Sequence, residues 1–147
     1  MMTSETMVVA LAADHAGLPL KNQLRDALAE QGPAPLDLGV HTPDSVDYPD
    51  IARLLTDALA DGRATRGVLI CGTGIGVSIA ANRVAHIRCA VCHDVTSARL
   101  AREHNDANVM ALGARTTGPT TAIDCLRTFL ETPFAGGRHA RRVAKLG

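Results

Sequence analysis

The residues that could move a proton or hold an anion fall at a few places in this sequence. The most informative is Cys71-Gly72-Thr73-Gly74-Ile75-Gly76, entered from the apolar run Val68-Leu69-Ile70 and followed by Ser78, Ala80 and Ala81. Three glycines in five residues keep side chains clear of the backbone. At a strand-to-helix turn the freed N–H groups can face an anion, and the helix N-terminus adds partial positive charge. The same field makes Cys71 a better base or nucleophile than a thiol buried elsewhere.

Several rival readings of that loop meet the spacing first. A nucleotide P-loop needs GxxxxGK[ST], and no Lys stands at that place; a dinucleotide fingerprint needs GxGxxG, whereas the spacing here is GxGxG. A cysteine phosphatase needs an Arg shortly after the Cys, but the chain runs on through Val77, Ser78 and Ile79 without one. A purely structural glycine turn with a buried Cys stays open. An amide cradle, a thiolate and a histidine with no cofactor suit proton transfer between adjacent carbons of a hydroxy-carbonyl compound. Removing the proton develops charge on oxygen, and each well-placed N–H donor contributes about 3 kcal/mol of transition-state stabilisation. The base then returns the proton to the neighbouring carbon. Such chemistry requires neither metal nor nicotinamide.

Other candidates are ambiguous on their own. Asp14-His15 reads as a helix cap with a loop residue, or as a catalytic or binding pair. His104-Asn105-Asp106 reads as a helix end or as part of a site. Arg138 and Arg142 are four apart, so a helical tail would present both guanidiniums as a fork for phosphate; a solvated basic tail is the alternative. Arg115 follows a strand, a good place for a cation that meets an anionic substrate. His41, His86 and His93 read as loop or surface residues, and the role of His139, beside Arg138, is open. Cys89 and Cys92 form a C-x-x-C inside a strand-like run with no second ligand pair at metal spacing, which argues against zinc or redox work.

The elements that must position these residues follow from periodicity. Strand-like runs fall near 7–13, 35–39, 67–71, 87–92 and 109–113, and the stretches between repeat at helical spacing, as in Leu20, Leu24, Ala27 and Leu28. Alternation without hairpin signals predicts βαβ units and a parallel, doubly wound sheet of about five strands. Gly32 and Gly62 are expected to end helices with positive φ. Ligands bind at the carboxyl ends of strands in such sheets. Asp14, His15, Tyr48, Cys71 to Gly76, His93 and Arg115 all fall there. A helix leaving the fourth strand finishes at the opposite edge, so His104 should lie far from Cys71 of its own chain, and a second subunit would have to supply it.

The chain of 147 residues, 46% hydrophobic, suits a single domain over 7–147, with a polar N-terminal extension over 1–6. Acidic and basic residues balance at 15 each, which gives nucleic-acid binding no support. After Glu131 there are no acids, but Arg138, Arg141, Arg142 and Lys145 follow. With no secretory signal and no membrane-length apolar run, a cytoplasmic location is expected. The four cysteines are read as reduced thiols.

Taken together, Ala13-Asp14-His15-Ala16-Gly17, Asp47-Tyr48-Pro49, Ile70 to Gly76, Ser78-Ile79-Ala80-Ala81-Asn82, Arg102 to Val109, and Gly136-Gly137-Arg138-His139 with Arg142-Val143 resemble the type B ribose-5-phosphate isomerases. The resemblance runs from about Val8 to Val143 and implies a Rossmann-like three-layer α/β/α sandwich that dimerises. The implied reaction interconverts ribose 5-phosphate and ribulose 5-phosphate through an enediolate, without a cofactor or a metal. Cys71 then resembles the base that shuttles the proton, and His104 the acid that opens the sugar ring, with Asp14 and Thr73 nearby. The amides of Gly72 to Gly76 resemble the enediolate cradle. His15, Arg115, Arg138 and Arg142 resemble phosphate and sugar ligands, and Asn105 a hydroxyl ligand; Tyr48 and Ser78 join the substrate-binding set. Superfamily members that replace the Cys carry a Glu later in the loop, and Ile75-Gly76-Val77-Ser78 has none. Galactose-6-phosphate isomerase subunits generally lack the His-Asn-Asp and Gly-Gly-Arg-His segments, both intact here. Allose 6-phosphate, erythrulose 4-phosphate and galactose 6-phosphate stay open as alternative substrates, as does a non-catalytic sugar-phosphate sensor. Whether dimers pair into tetramers is also open.

Overall fold

The structure, a computed structural model, describes residues 7–147, so the extension expected over 1–6 lies outside the described residues. Strands β1 (Val8–Ala13), β2 (Ala34–Asp37), β3 (Arg66–Cys71), β4 (Cys89–Val91) and β5 (Val109–Gly113) alternate with helices α1 (Leu18–Gln31), α2 (Tyr48–Ala60), α3 (Ile75–Asn82) and α4 (Val95–Asn105). Helices α5 (Pro119–Glu131) and α6 (Arg138–Ala144) follow. All five strands are parallel, in the order β2-β1-β3-β5-β4.

The central strands are apolar apart from Arg66, which opens β3, because both of their faces are covered. Val9, Leu11, Val68, Ile70, Met110 and Leu112 point to the layer that holds Leu24 of α1, Ala98 of α4 and Phe129 of α5. Their neighbours Ala10, Ala12, Leu69, Cys71 and Ala111 point to the other layer, against Ile51 and Leu55 of α2 and Val77 of α3. Each fully buried Leu or Phe contributes about 2 kcal/mol by leaving water. This is the expected α/β/α sandwich. The outer strands are shorter than their sequence patterns: β2 stops at Asp37 and β4 covers only Cys89–Val91. Each has only one neighbour, and none of their residues is fully buried, so the ladder ends sooner there than the apolar run.

One helix-end expectation is corrected. Gly62 has φ +76, as a left-handed cap requires. Gly32 does not: its backbone is extended at φ −113, with its N–H on the Leu28 carbonyl, because the chain turns directly into β2.

The connections leaving β1 and β3 diverge to opposite faces, α1 to one and α3 to the other, and the two strands are neighbours. Their carboxyl ends therefore frame the crevice that open α/β sheets use for ligands. Both loops that could do chemistry emerge there.

Candidate functional site

The Cys71 loop is fixed by main-chain contacts. Gly74 caps α3 with φ +79, and a Cβ there would come within 3.0 Å of the Leu112 carbonyl carbon, so only glycine fits without strain. That turn aims the Gly74 N–H at the Cys71 sulfur, 3.1 Å away. Thr73 Oγ1 accepts from the Ile75 N–H at 3.2 Å, and the Ser78 hydroxyl donates to the Ile75 carbonyl at 2.7 Å. The sequence reading offered the amides of Gly72 to Gly76 as one cradle; Gly74 and Ile75 are already engaged within the loop. The N–H groups of Gly76 and Val77 have no acceptor among the described residues, as expected in the first turn of a helix. The Val77 amide was missed, because its side chain is apolar and buried and only main-chain geometry marks it.

Cys71 is 5% exposed and closes the top of the α2–α3 layer. Its sulfur nonetheless meets a main-chain N–H as well as hydrocarbon, unlike the other cysteines. Burial pushes Cys89 and Cys92 up to about 12 and raises Cys125, so these are protonated thiols at neutral pH. That chemistry is wrong for a metal-binding or redox C-x-x-C.

The Asp14 loop lies against the same strand end. Its N–H donates to the Ile70 carbonyl, and a Cβ on Gly17 would sit 2.8 Å from that same oxygen. Asp14 does not cap α1, whose cap is Gly17. Instead its Oδ1 accepts from the N–H groups of Ala16 and Gly17, a tight turn that leaves Oδ2 without a partner among the described residues. His15 Nδ1 accepts from the Val46 N–H at 3.2 Å, so the ring presents Nε2 as its donor. Tyr48 begins α2 and lies over Gly76, where a Cβ would meet its ring at 2.8 Å. Arg115 donates its N–H to the Gly72 carbonyl and packs its side chain along Gly72. It has no carboxylate partner among the described residues, which leaves the guanidinium open to an anion.

A buried ion pair that no local sequence pattern marks braces this edge. Lys21, wholly buried, donates to Asp37 Oδ1 at 2.7 Å, and Arg25 reaches the other oxygen. The Gly39 N–H bonds the same carboxylate, and Gly39 in turn accepts from Ala13. Burial alone would raise the Asp37 pKa; Lys21, the Gly39 N–H and Arg25 outweigh it and hold the carboxyl below its ordinary value.

The remaining candidates gather at the other edge. Gly67 pairs with Val109 and Cys71 with Gly113, so about 13 Å of strand separates the two edges. His104 and Asn105 end α4 before β5 begins, beyond the Val109 end. They share a depression of about 290 Å³ with His139, Arg142, Val143 and Leu146. Arg138 and Arg142 stand on exposed α6 with no carboxylate partner among the described residues. Arg102, nearly buried, supports this edge by donating to Asp106, to the Ala107 carbonyl and to the Thr132 carbonyl. Its spacing from Asp106, one helical turn, was the signal that could have marked it. His93 begins no site: it is exposed beyond edge strand β4, its N–H on Ser97.

The family model described as Ribose/Galactose Isomerase matches residues 9–146. The chain belongs to that family. Ribose-5-phosphate isomerase B of Escherichia coli is 42% identical over 92% of this chain and 91% of its own. D-erythrulose-4-phosphate isomerase of Pectobacterium atrosepticum is 44% identical over 95% and 92%. The solved structure of ribose-5-phosphate isomerase B from Clostridium thermocellum superposes with a TM-score of 0.94 at 48% identity, over 96% of this chain and 95% of that one. This member of the isomerase family thus carries a thiol, amide and carboxylate set at one sheet edge and a histidine and arginine set at the other.

Proposed function

We propose that this chain is a cofactor-free aldose-ketose isomerase that interconverts D-ribose 5-phosphate and D-ribulose 5-phosphate in the cytoplasm, serving the pentose phosphate pathway as a homodimer with shared sites. The observation that carries the reading is the Cys71 sulfur held 3.1 Å from the Gly74 N–H at the topological switch of the sheet. Cys71, as thiolate, takes the proton from C2 of the open-chain aldose, and the C2 electron pair becomes the C1–C2 double bond of an enediolate whose O1 carries the negative charge. The first-turn amides of α3 face that charge. The thiol then returns the proton to C1, while the O2 proton passes to O1, and no atom is gained or lost.

The substrate enters as a ring. His104 of a second subunit would protonate the ring oxygen, with Asp14 and Thr73 accepting from the C1 hydroxyl. Arg138 and Arg142 of that subunit, with His15 and Arg115 of the first, hold the phosphate and sugar; Asn105 takes a hydroxyl, and Tyr48 and Ser78 border the cleft. Binding the phosphate far from C1 and C2 lets remote contacts orient the reacting carbons. A second copy is favoured because 13 Å or so of strand keeps one chain's own His104 from its Cys71. Ile75 and Ile79, one turn apart on α3 and 54% and 53% exposed, offer an apolar face for it.

The test is exchange of solvent deuterium into C1 of ribulose 5-phosphate. Wild type exchanges and turns over; Cys71→Ala loses both by about 10³-fold yet still binds a phosphorylated inhibitor. Full turnover in Cys71→Ala would assign the base elsewhere. Comparing kcat/KM for ribose 5-phosphate with that for D-erythrulose 4-phosphate and allose 6-phosphate decides the sugar.

A further inference from the structure

His139 stands in none of the roles above, yet it makes the closest ring contact at the amino edge. Its imidazole stacks on His104 with centroids 4.4 Å apart and planes 14° from parallel. The His104 imidazole makes no hydrogen bond with any described residue, so no polar partner among them fixes the ring about its side-chain torsions. A general acid must aim one N–H at one oxygen, and an unrestrained imidazole would sample many directions.

The stack is itself braced. The Ala135 N–H donates to the Glu103 carbonyl, and Arg102 Nε donates to the Thr132 carbonyl, which together tie the α5–α6 connection to the last turn of α4. Gly136 and Gly137, both at positive φ, turn the chain sharply into α6, and the His139 N–H closes back on the Gly136 carbonyl. The ring that results lies flat on His104 inside the depression that Arg142 also lines.

We propose that His139 is the positioning residue for His104: its ring serves as the flat backing that orients the ring-opening acid, and it donates no hydrogen bond to substrate. The proposal rests on the reading of His104 as that acid. The charges around the pair fit. Loss of water, then His104, Arg138 and Arg142, lower the His139 pKa, against an opposing pull from Glu103. A neutral His139 places no second cation against the imidazole it stacks on.

The experiment compares His139→Ala with His139→Phe, which keeps a flat ring and discards both nitrogens. For ribose 5-phosphate, His139→Ala is expected to lower kcat about tenfold with KM changed less than twofold, and His139→Phe to recover most of that loss. Deuterium exchange into open-chain ribulose 5-phosphate, which bypasses ring opening, should stay at the wild-type rate in both. A raised KM at unchanged kcat would make His139 a phosphate ligand and overturn the proposal. So would wild-type kcat in His139→Ala, failure of Phe to rescue, or loss of exchange. His104→Asn, run beside them, separates the two readings. Full ribose 5-phosphate turnover there would remove the acid and the stack's purpose together, whereas loss there with none in His139→Ala would remove only the stack.

Discussion

At the carboxyl edge of the sheet the Cys71 thiol is held by main-chain atoms, with Gly74 donating to Cys71 and the Asp14 turn closed on its own amides. At the amino edge His104, Asn105, Arg138 and Arg142 are exposed or half-exposed side chains on helix ends, steadied by a ring stack and one buried arginine. The first arrangement is preorganised by the fold, so it cannot be altered without cost to stability. The second is borrowed from the surface, and its side chains can be removed with the fold intact. The proposed roles match this division: stabilising an enediolate calls for fixed donors, whereas holding a phosphate and a ring oxygen tolerates softer ones.

The largest effect tests whether the two edges act across subunits. Co-expressing Cys71→Ala with His104→Ala chains gives mixed dimers with one site that keeps both groups and one that lacks both. Half the dimers are mixed, so turnover on ribose 5-phosphate should rise from nearly nothing in either variant alone to about a quarter of wild type. No recovery on mixing would mean that both edges serve one chain, and full turnover in His104→Ala alone would mean that His104 is not used.

Within the rigid edge, Gly74→Ala forces a left-handed residue to carry a Cβ that meets the Leu112 main chain. A loss of about 3 kcal/mol is expected, seen as a lower urea midpoint together with lower kcat. An unchanged midpoint would mean that the turn is softer than its geometry. Asp37→Asn sharpens the same point away from the reacting atoms, since it strands the fully buried Lys21. A cost of up to about 3 kcal/mol at pH 7 follows from breaking such a pair. The sign with pH is fixed by the lowered Asp37 value. Its stabilisation is complete above an ordinary carboxylate pKa of about 4 and fades as pH falls through the lower folded value. Wild type and variant should therefore converge in acid; a gap that persists there would assign the loss to packing.

The same contrast decides what could be read from the residues alone. The central strands were legible because strands covered on both faces read as near-continuous apolar runs, and the order of loops along the chain then gave the separation of His104 from Cys71. The outer strands were misjudged in length because apolar content does not tell where a ladder with one neighbour stops. Gly32 misled because a glycine after a helix can serve an extended exit as well as a left-handed cap. Lys21 with Asp37 and His104 with His139 join residues far apart in sequence, and no local spacing encodes such pairings. The Cys71 loop could be read as a base beside an anion cradle from its own glycine spacing and place after a strand. The roles of His104, Asn105 and the arginines came instead from the family resemblance, since a helix end or a basic tail reads equally well without a site.

The smallest effect belongs to the soft edge. Arg142 is exposed on α6, lines the His104 depression and has no carboxylate partner among the described residues. Removing its guanidinium takes away one charge-assisted fork but leaves no buried group unpaired, so Arg142→Ala should raise KM for ribose 5-phosphate about tenfold and lower kcat little. Its unfolding free energy should stay within about 0.5 kcal/mol of wild type, because an exposed side chain without a carboxylate partner contributes little to folding. Lysine at the same position should recover only part of the affinity, since an ammonium cannot offer two parallel donors to phosphate. A fall in stability with no change in KM would reverse the assignment, making α6 part of the scaffold, and the contrast between the two edges would then lose its kinetic meaning.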